Sequence, residues 1–181
     1  MALTETPICN FGEKANNFNL LSIENKKMTL DDIKGKNGTL IMFICNHCPY
    51  VKAVIKDIVE DVKYLDTLNI KSTAIMSNDV KNYPEDSFEN MISFSNLHAF
   101  SFPYLIDETQ EVAKKYGAVC TPDFFGSSIR EKHSNLKCIL RAWDGFFSYC
   151  RMTDGIEQRD RKLLTLSKTP DFSSIRAPGY Q

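Results

Sequence analysis

The run Thr39-Leu40-Ile41-Met42-Phe43-Ile44 is apolar after its first residue and passes into an amphipathic helix through Cys45-Asn46-His47-Cys48-Pro49. An uninterrupted apolar run of this length suits a strand buried on both faces, and such a strand needs cover above and below its sheet. The helix is written in the spacing that follows. Val51, Val54, Ile55, Ile58, Val62 and Leu65 recur on one side, while Lys52, Lys56, Asp57, Glu60, Asp61 and Lys63 fill the others. Pro49 fits the first turn, where its missing N–H is no loss. The segment demands an α/β arrangement with two cysteines at the strand-to-helix junction.

A cysteine at a helix start meets unpaired backbone N–H groups and the positive end of the helix dipole, and both favour thiolate over thiol. On this reading Cys45 is the nucleophile. Cys48, one turn further in, is close enough to close a disulfide and is the resolving thiol. His47 adds a cation beside the sulfur, and Asn46 and Pro49 complete the set that tunes the site. Two other readings stay open. Cys45 and Cys48 could be half of a zinc or copper site that His47 or Cys120 completes, although structural zinc usually takes two separated ligand pairs. The cysteines could also be packing residues, which leaves their placement unexplained.

With 181 residues, 43% of them hydrophobic and 25% charged, the chain fits one domain that buries roughly two-thirds of its unfolded surface. A formal charge of −1 supplies neither a basic footprint for nucleic acid nor attraction to a membrane surface, so neither partner is expected. The stretch from Met1 to Pro7 has no basic, then apolar, leader pattern, and no apolar run approaches about 18 residues. A cytoplasmic protein is expected, in which the cysteines cycle rather than staple the fold.

Elsewhere, Phe18 to Ile23 and Met28 to Leu30 flank a polar turn and form an N-terminal hairpin. Ile70 to Ser77 is a second core strand, Pro84 to about Ser95 a helix, and Asp107 caps a helix ended by Gly117. Phe100, Phe102 and Tyr104 alternate as in a half-buried strand, and Ala118 to Phe125 leads into another. Composition then breaks. Residues 1–125 contain no Arg, whereas positions 130, 141, 151, 159, 161 and 176 are all Arg. Leu136 to Trp143 can serve as a strand, but around Asp160 to Ser167 only Leu163, Leu164 and Leu166 are apolar, so a closing helix there is poor. The expectation is that residues beyond Phe125 do not form the native closing layer, and an altered reading frame is one origin for such a break.

The blocks Phe11 to Ala15, Phe43 to Lys52, Ser77-Asn78-Asp79, Tyr83 to Ser87, Asp107 to Gln110 and Tyr116 to Phe125 resemble, in order, the thioredoxin-like redoxins. They are most similar to the peroxiredoxin-like branch of the alkyl hydroperoxide reductase/thiol-specific antioxidant (AhpC/TSA) group. The resemblance covers about residues 10–125 and implies a thioredoxin fold, a central mixed sheet flanked by helices with an N-terminal β-hairpin and an atypical C-terminal third. Residues 1–125 form the expected core, and 126–181 a divergent segment that completes or loosely flanks the same domain. It also implies a cis-proline loop, Thr121-Pro122, facing the cysteines, with Cys120 either a third redox thiol or a packing residue.

The activity implied is thiol–disulfide oxidoreduction on protein or small-molecule thiols and disulfides, with no bound cofactor and with an external thiol reductant. Thiol peroxidase action on hydroperoxides, and a metal-binding module built on Cys45, His47 and Cys48, are the alternatives. Some family parts are absent. The buried acid and the tryptophan of thioredoxins are replaced by Thr39 and Ile44. Aligning Cys48-Pro49 with the Cys-Pro of peroxiredoxins puts Cys45 where those proteins have Thr, and the matching region has no Arg.

Overall fold

The structure, a computed structural model, describes residues 14–129 and 136–142. One sheet runs through it. Its strands are β1 (Asn19–Ser22), β2 (Lys27–Thr29), β3 (Gly38–Phe43), β4 (Ile70–Met76), β5 (Tyr104–Ile106), β6 (Asp123–Ile129) and β7 (Leu136–Ala142), and the helices are α1 (Pro49–Thr67), α2 (Phe88–Leu97) and α3 (Glu111–Tyr116). The strand order is β2-β1-β5-β4-β3-β6-β7, with β3, β4 and β5 parallel and the remaining pairs antiparallel. This is the thioredoxin fold with the N-terminal hairpin expected from the sequence.

The strand pleat sorts the core into two layers. Met42, Ala74, Met76, Tyr104 and Ile106 face α1 and α2, packing against Val51, Ile55, Ile58, Val59, Val62, Met91 and Phe94. On the other face Ile41, Phe43, Ile75, Leu105 and Phe125 pack with Ala15, Phe18, Ile33 and Val112. Strand β3 is therefore covered on both sides, as its apolar run requires. Gly35 marks where the chain passes close to the sheet: a Cβ there would lie 2.3 Å from the Gly38 carbonyl oxygen and 2.5 Å from Asn69 O and Lys71 N.

Three local expectations change. The stretch after Pro84 is not one helix: a single 3-10 turn, Pro84–Asp86, is followed by an extended Ser87 whose hydroxyl accepts from Asn90 N–H at 3.3 Å and starts α2. Asp107 serves α3 from a distance, its carboxylate accepting from Ala113 N–H at 3.0 Å while Gln110 occupies the cap position. Phe100 and Phe102 lie outside β5, stacked at 4.5 Å. Pro103, without an N–H, precedes the strand and cannot donate to the ladder.

Pairing also continues past residue 125. Strand β6 runs to Ile129 and β7 pairs with it from Leu136 to Ala142, with a register shift at Gly126/Ser127. The expectation that no native layer follows Phe125 is thus corrected as far as Ala142; Leu136 to Ala142 is the strand that its sequence suggested. The poor helix around 160–167 lies outside the described residues.

Candidate active site

Strand β3 ends at Phe43 and α1 begins at Pro49, so Cys45 to Cys48 form a short turn between the centre of the sheet and a helix N-terminus. The helix starts one residue after Cys48. That detail corrects the placement read from the sequence: Cys48, not Cys45, occupies the cap position. Cys45 lies deeper, 1% exposed against 8% for Cys48.

Both cysteines are thiols, and both touch the loop that carries the cis Thr121–Pro122 bond. The Cys45 sulfur is 3.1 Å from the Thr121 hydroxyl, and Cys48 S–H donates to the Thr121 carbonyl at 3.2 Å. Thr121 and Pro122 therefore face the pair, where the resemblance put them. Cys120 is half-buried beside Thr121.

The two thiols are driven apart in acidity. Cys48 falls to about 6, chiefly because Cys45 S–H donates to its sulfur; burial opposes this, and the Val51 N–H, Thr121 and the Tyr50 N–H assist. No full capping hydrogen bond forms at Cys48, but those two amides still favour its anion. Cys45 is pushed far up, first by its hydrogen bond to Cys48, then by burial, against the help of the Thr121 hydroxyl, while the Asp86 carboxylate adds repulsion. These causes favour the anion on Cys48 and disfavour it on Cys45.

Asp86 is the residue that sequence reasoning missed. Fully buried, it comes from the 3-10 turn before α2 and accepts from Asn46 N–H at 2.7 Å, His47 N–H at 3.2 Å, His47 Nδ1–H at 2.7 Å and Asn78 Nδ2–H at 2.8 Å. One carboxylate thus fixes both backbone and side chain of the turn between the cysteines. Asn46 extends the network, donating to the Glu85 carbonyl at 3.2 Å and accepting from the buried Tyr104 hydroxyl at 2.9 Å. The His47 ring stacks on Tyr83, centroids 4.9 Å apart and planes 3° from parallel. The signal for Asp86 was present in the block Tyr83 to Ser87, but a break in an apparent helix does not announce which side chain turns inward.

Cys45, His47 and Asp86 each bring a ligand atom within 4.8 Å of the others. Asp86 fits poorly as a metal ligand, because both its oxygens already accept two hydrogen bonds. Pro49 stands at the first helical position, as expected.

The AhpC/TSA family profile matches residues 11–142. The chain belongs to the AhpC/TSA family. The match extends beyond β6 to the end of β7, further than the resemblance read from the sequence. Among solved structures, an uncharacterized conserved protein from Geobacillus kaustophilus is 38% identical, with 86% of this chain and 80% of that one covered and a TM-score of 0.75. A hypothetical protein from Sinorhizobium meliloti is 28% identical over 86% and 82% of the two chains, TM-score 0.71. The thioredoxin domain of a thiol-disulfide oxidoreductase from Bacteroides vulgatus shares the fold at 13% identity, covering 75% and 91%, TM-score 0.58. No curated protein matches the chain. Membership in this redoxin group makes redox chemistry the general class of activity, with thiols, disulfides or peroxides as the general class of substrate.

Proposed function

We propose that this protein is a thiol–disulfide oxidoreductase in which Cys48 attacks and Cys45 resolves. One observation carries the reading: the cap position of α1 holds Cys48, whose thiolate is favoured by the Cys45 S–H and the helix amides. The Cys48 thiolate attacks a substrate disulfide, forming a mixed disulfide and expelling one substrate thiolate. Cys45 then attacks the Cys48 sulfur, the Cys45–Cys48 bond forms, and the second substrate thiol leaves. An external thiol reductant restores the dithiol. The chemistry needs no bound cofactor and suits a reducing compartment such as the cytoplasm, with neither nucleic acid nor membrane as partner.

The test is kinetic trapping. A Cys45→Ser variant should accumulate substrate on Cys48 as a mixed disulfide detectable by mass, and Cys48→Ser should capture far less. Capture predominantly on Cys45 in the Cys48→Ser variant would restore the roles first expected from the sequence.

A second reading, thiol peroxidase, is favoured by the Cys48-Pro49 dipeptide at the helix start, the register of the peroxidatic cysteine. There the Cys48 thiolate takes one peroxide oxygen to become a sulfenic acid while the alcohol leaves. Cys45 then forms the disulfide with loss of water. Turnover of a hydroperoxide with the same reductant, at rates above those with disulfides, would select this reading.

A further inference from the structure

Cys45 must lose a proton before it can attack the mixed disulfide, yet at 1% exposure it has almost no contact with water. His47 has such contact: its side chain is 26% exposed. A ring nitrogen of His47, the Cys45 sulfur and an Asp86 oxygen all lie within 4.8 Å of one another, so the ring stands beside the Cys45 thiol. The ring is also held. Asp86 accepts at Nδ1 at 2.7 Å, which in the neutral ring leaves the lone pair on Nε2, and Tyr83 stacks on the ring face. The titratable groups around His47 are Cys45 and Cys48 from its own turn, and Asp86 and Tyr83 from the segment packed against it.

We infer that His47 carries the proton of Cys45 between the buried resolving thiol and solvent, with Asp86 as the positioning residue that sets its tautomer and orientation. The inference rests on the dithiol reading above. During resolution the Cys45 S–H bond breaks and its proton passes to His47. The Cys45 electron pair forms the Cys45–Cys48 bond, and the Cys48–substrate bond breaks. Its electron pair leaves on the second substrate thiolate, and His47 releases the Cys45 proton to solvent, from which that thiolate takes one if it is basic enough. The first substrate thiolate takes its proton from solvent. The substrate disulfide gains two electrons, the dithiol loses two, and the net proton uptake is one when both substrate thiolates are protonated.

The test uses the reduced full-length protein with Cys9, Cys120, Cys138 and Cys150 replaced by Ser, and dithiobis-nitrobenzoate, an aromatic disulfide that releases a coloured thiolate twice. The first release reports attack by Cys48, the second resolution by Cys45. His47→Gln should lower the ratio of second to first rate by about tenfold or more, and added imidazole should restore the ratio in His47→Ala. Asp86→Asn should lower it by less. A ratio within about twofold of wild type in His47→Gln, or no rescue by imidazole, overturns the proton-carrier role. Cys45→Ser separates this from the underlying reading: it should retain the first release and lose the second. Loss of the first release in that variant would instead overturn the assignment of Cys48 as attacker, and this inference with it.

Discussion

Replacing Asp86 with Ala removes the acceptor of four hydrogen bonds at once. The donors are Asn46 N–H, His47 N–H, His47 Nδ1–H and Asn78 Nδ2–H. Their environments differ, and so do the losses. Asn46 N–H meets Asp86 inside the buried network, so its orphaned donor costs about 1–3 kcal/mol. The other three are only partly buried; water replaces Asp86 there in part, leaving about 0.5–1 kcal/mol each. Relief from burying a carboxylate offsets some of this, and a net loss of about 3 kcal/mol is expected. That is a large share of the stability of a domain of this size.

Urea unfolding of the reduced protein should then show a lower midpoint with an unchanged slope. Asp86→Asn should lose roughly half as much, because its one oxygen still serves the two backbone amides while its NH2 group opposes Asn78. A loss in Asp86→Ala below about 1 kcal/mol would show that the carboxylate does not hold the turn, and would remove the basis for calling it a positioning residue.

Four further outcomes are expected. Tyr104→Phe leaves the buried Asn46 Oδ1 without its donor and should cost about 1–2 kcal/mol in the same unfolding assay. The fold lowers the pKa of Cys48 to about 6; its thiolate therefore contributes stability fully above the unfolded-state value of about 8.5, and that contribution is lost as pH falls through the folded value. Reduced wild type should gain stability over Cys48→Ser between those limits, and a flat difference refutes the assignment. Asp61 on α1 is raised to about 6 by burial, Asp57 and Glu60. It favours the fold when protonated and loses that contribution as pH rises through about 6. Asp61→Asn should therefore stabilise by about 1 kcal/mol at neutral pH, after allowance for its half-exposed position, and by nothing near pH 4. Gly35→Ala forces a Cβ against three backbone atoms and should cost about 2 kcal/mol or more by thermal unfolding.

The order of strands and helices was legible because the signals for it are local. An apolar run of strand length, an apolar stripe at helical spacing and Gly117 in the left-handed conformation at the end of α3 each act within a few residues. The helix after Pro84 was misread because the propensities of residues 84–95 do not reveal that Ser87 is extended and caps a new helix. Phe100 and Phe102 alternate as a strand would, yet they stack on one another outside the sheet.

The sequence alone determined that two cysteines stand between the central strand and its helix, since spacing and helix signals are properties of contiguous residues. The resemblance to the redoxins, not spacing, pointed to Thr121-Pro122 as the segment to set against them. Which cysteine stands at the helix cap was a tertiary decision. Moving the helix start from one side of Cys48 to the other changes which thiol meets the helix amides, and such boundaries are where local signals are weakest. Asp86 was likewise beyond sequence reading. Its carboxylate comes from a turn some 40 positions along the chain, and burial gives it its charge effect and its hold on His47. Electrostatics of this kind depends on distance through space and on the exclusion of water, and neither is written in the order of residues.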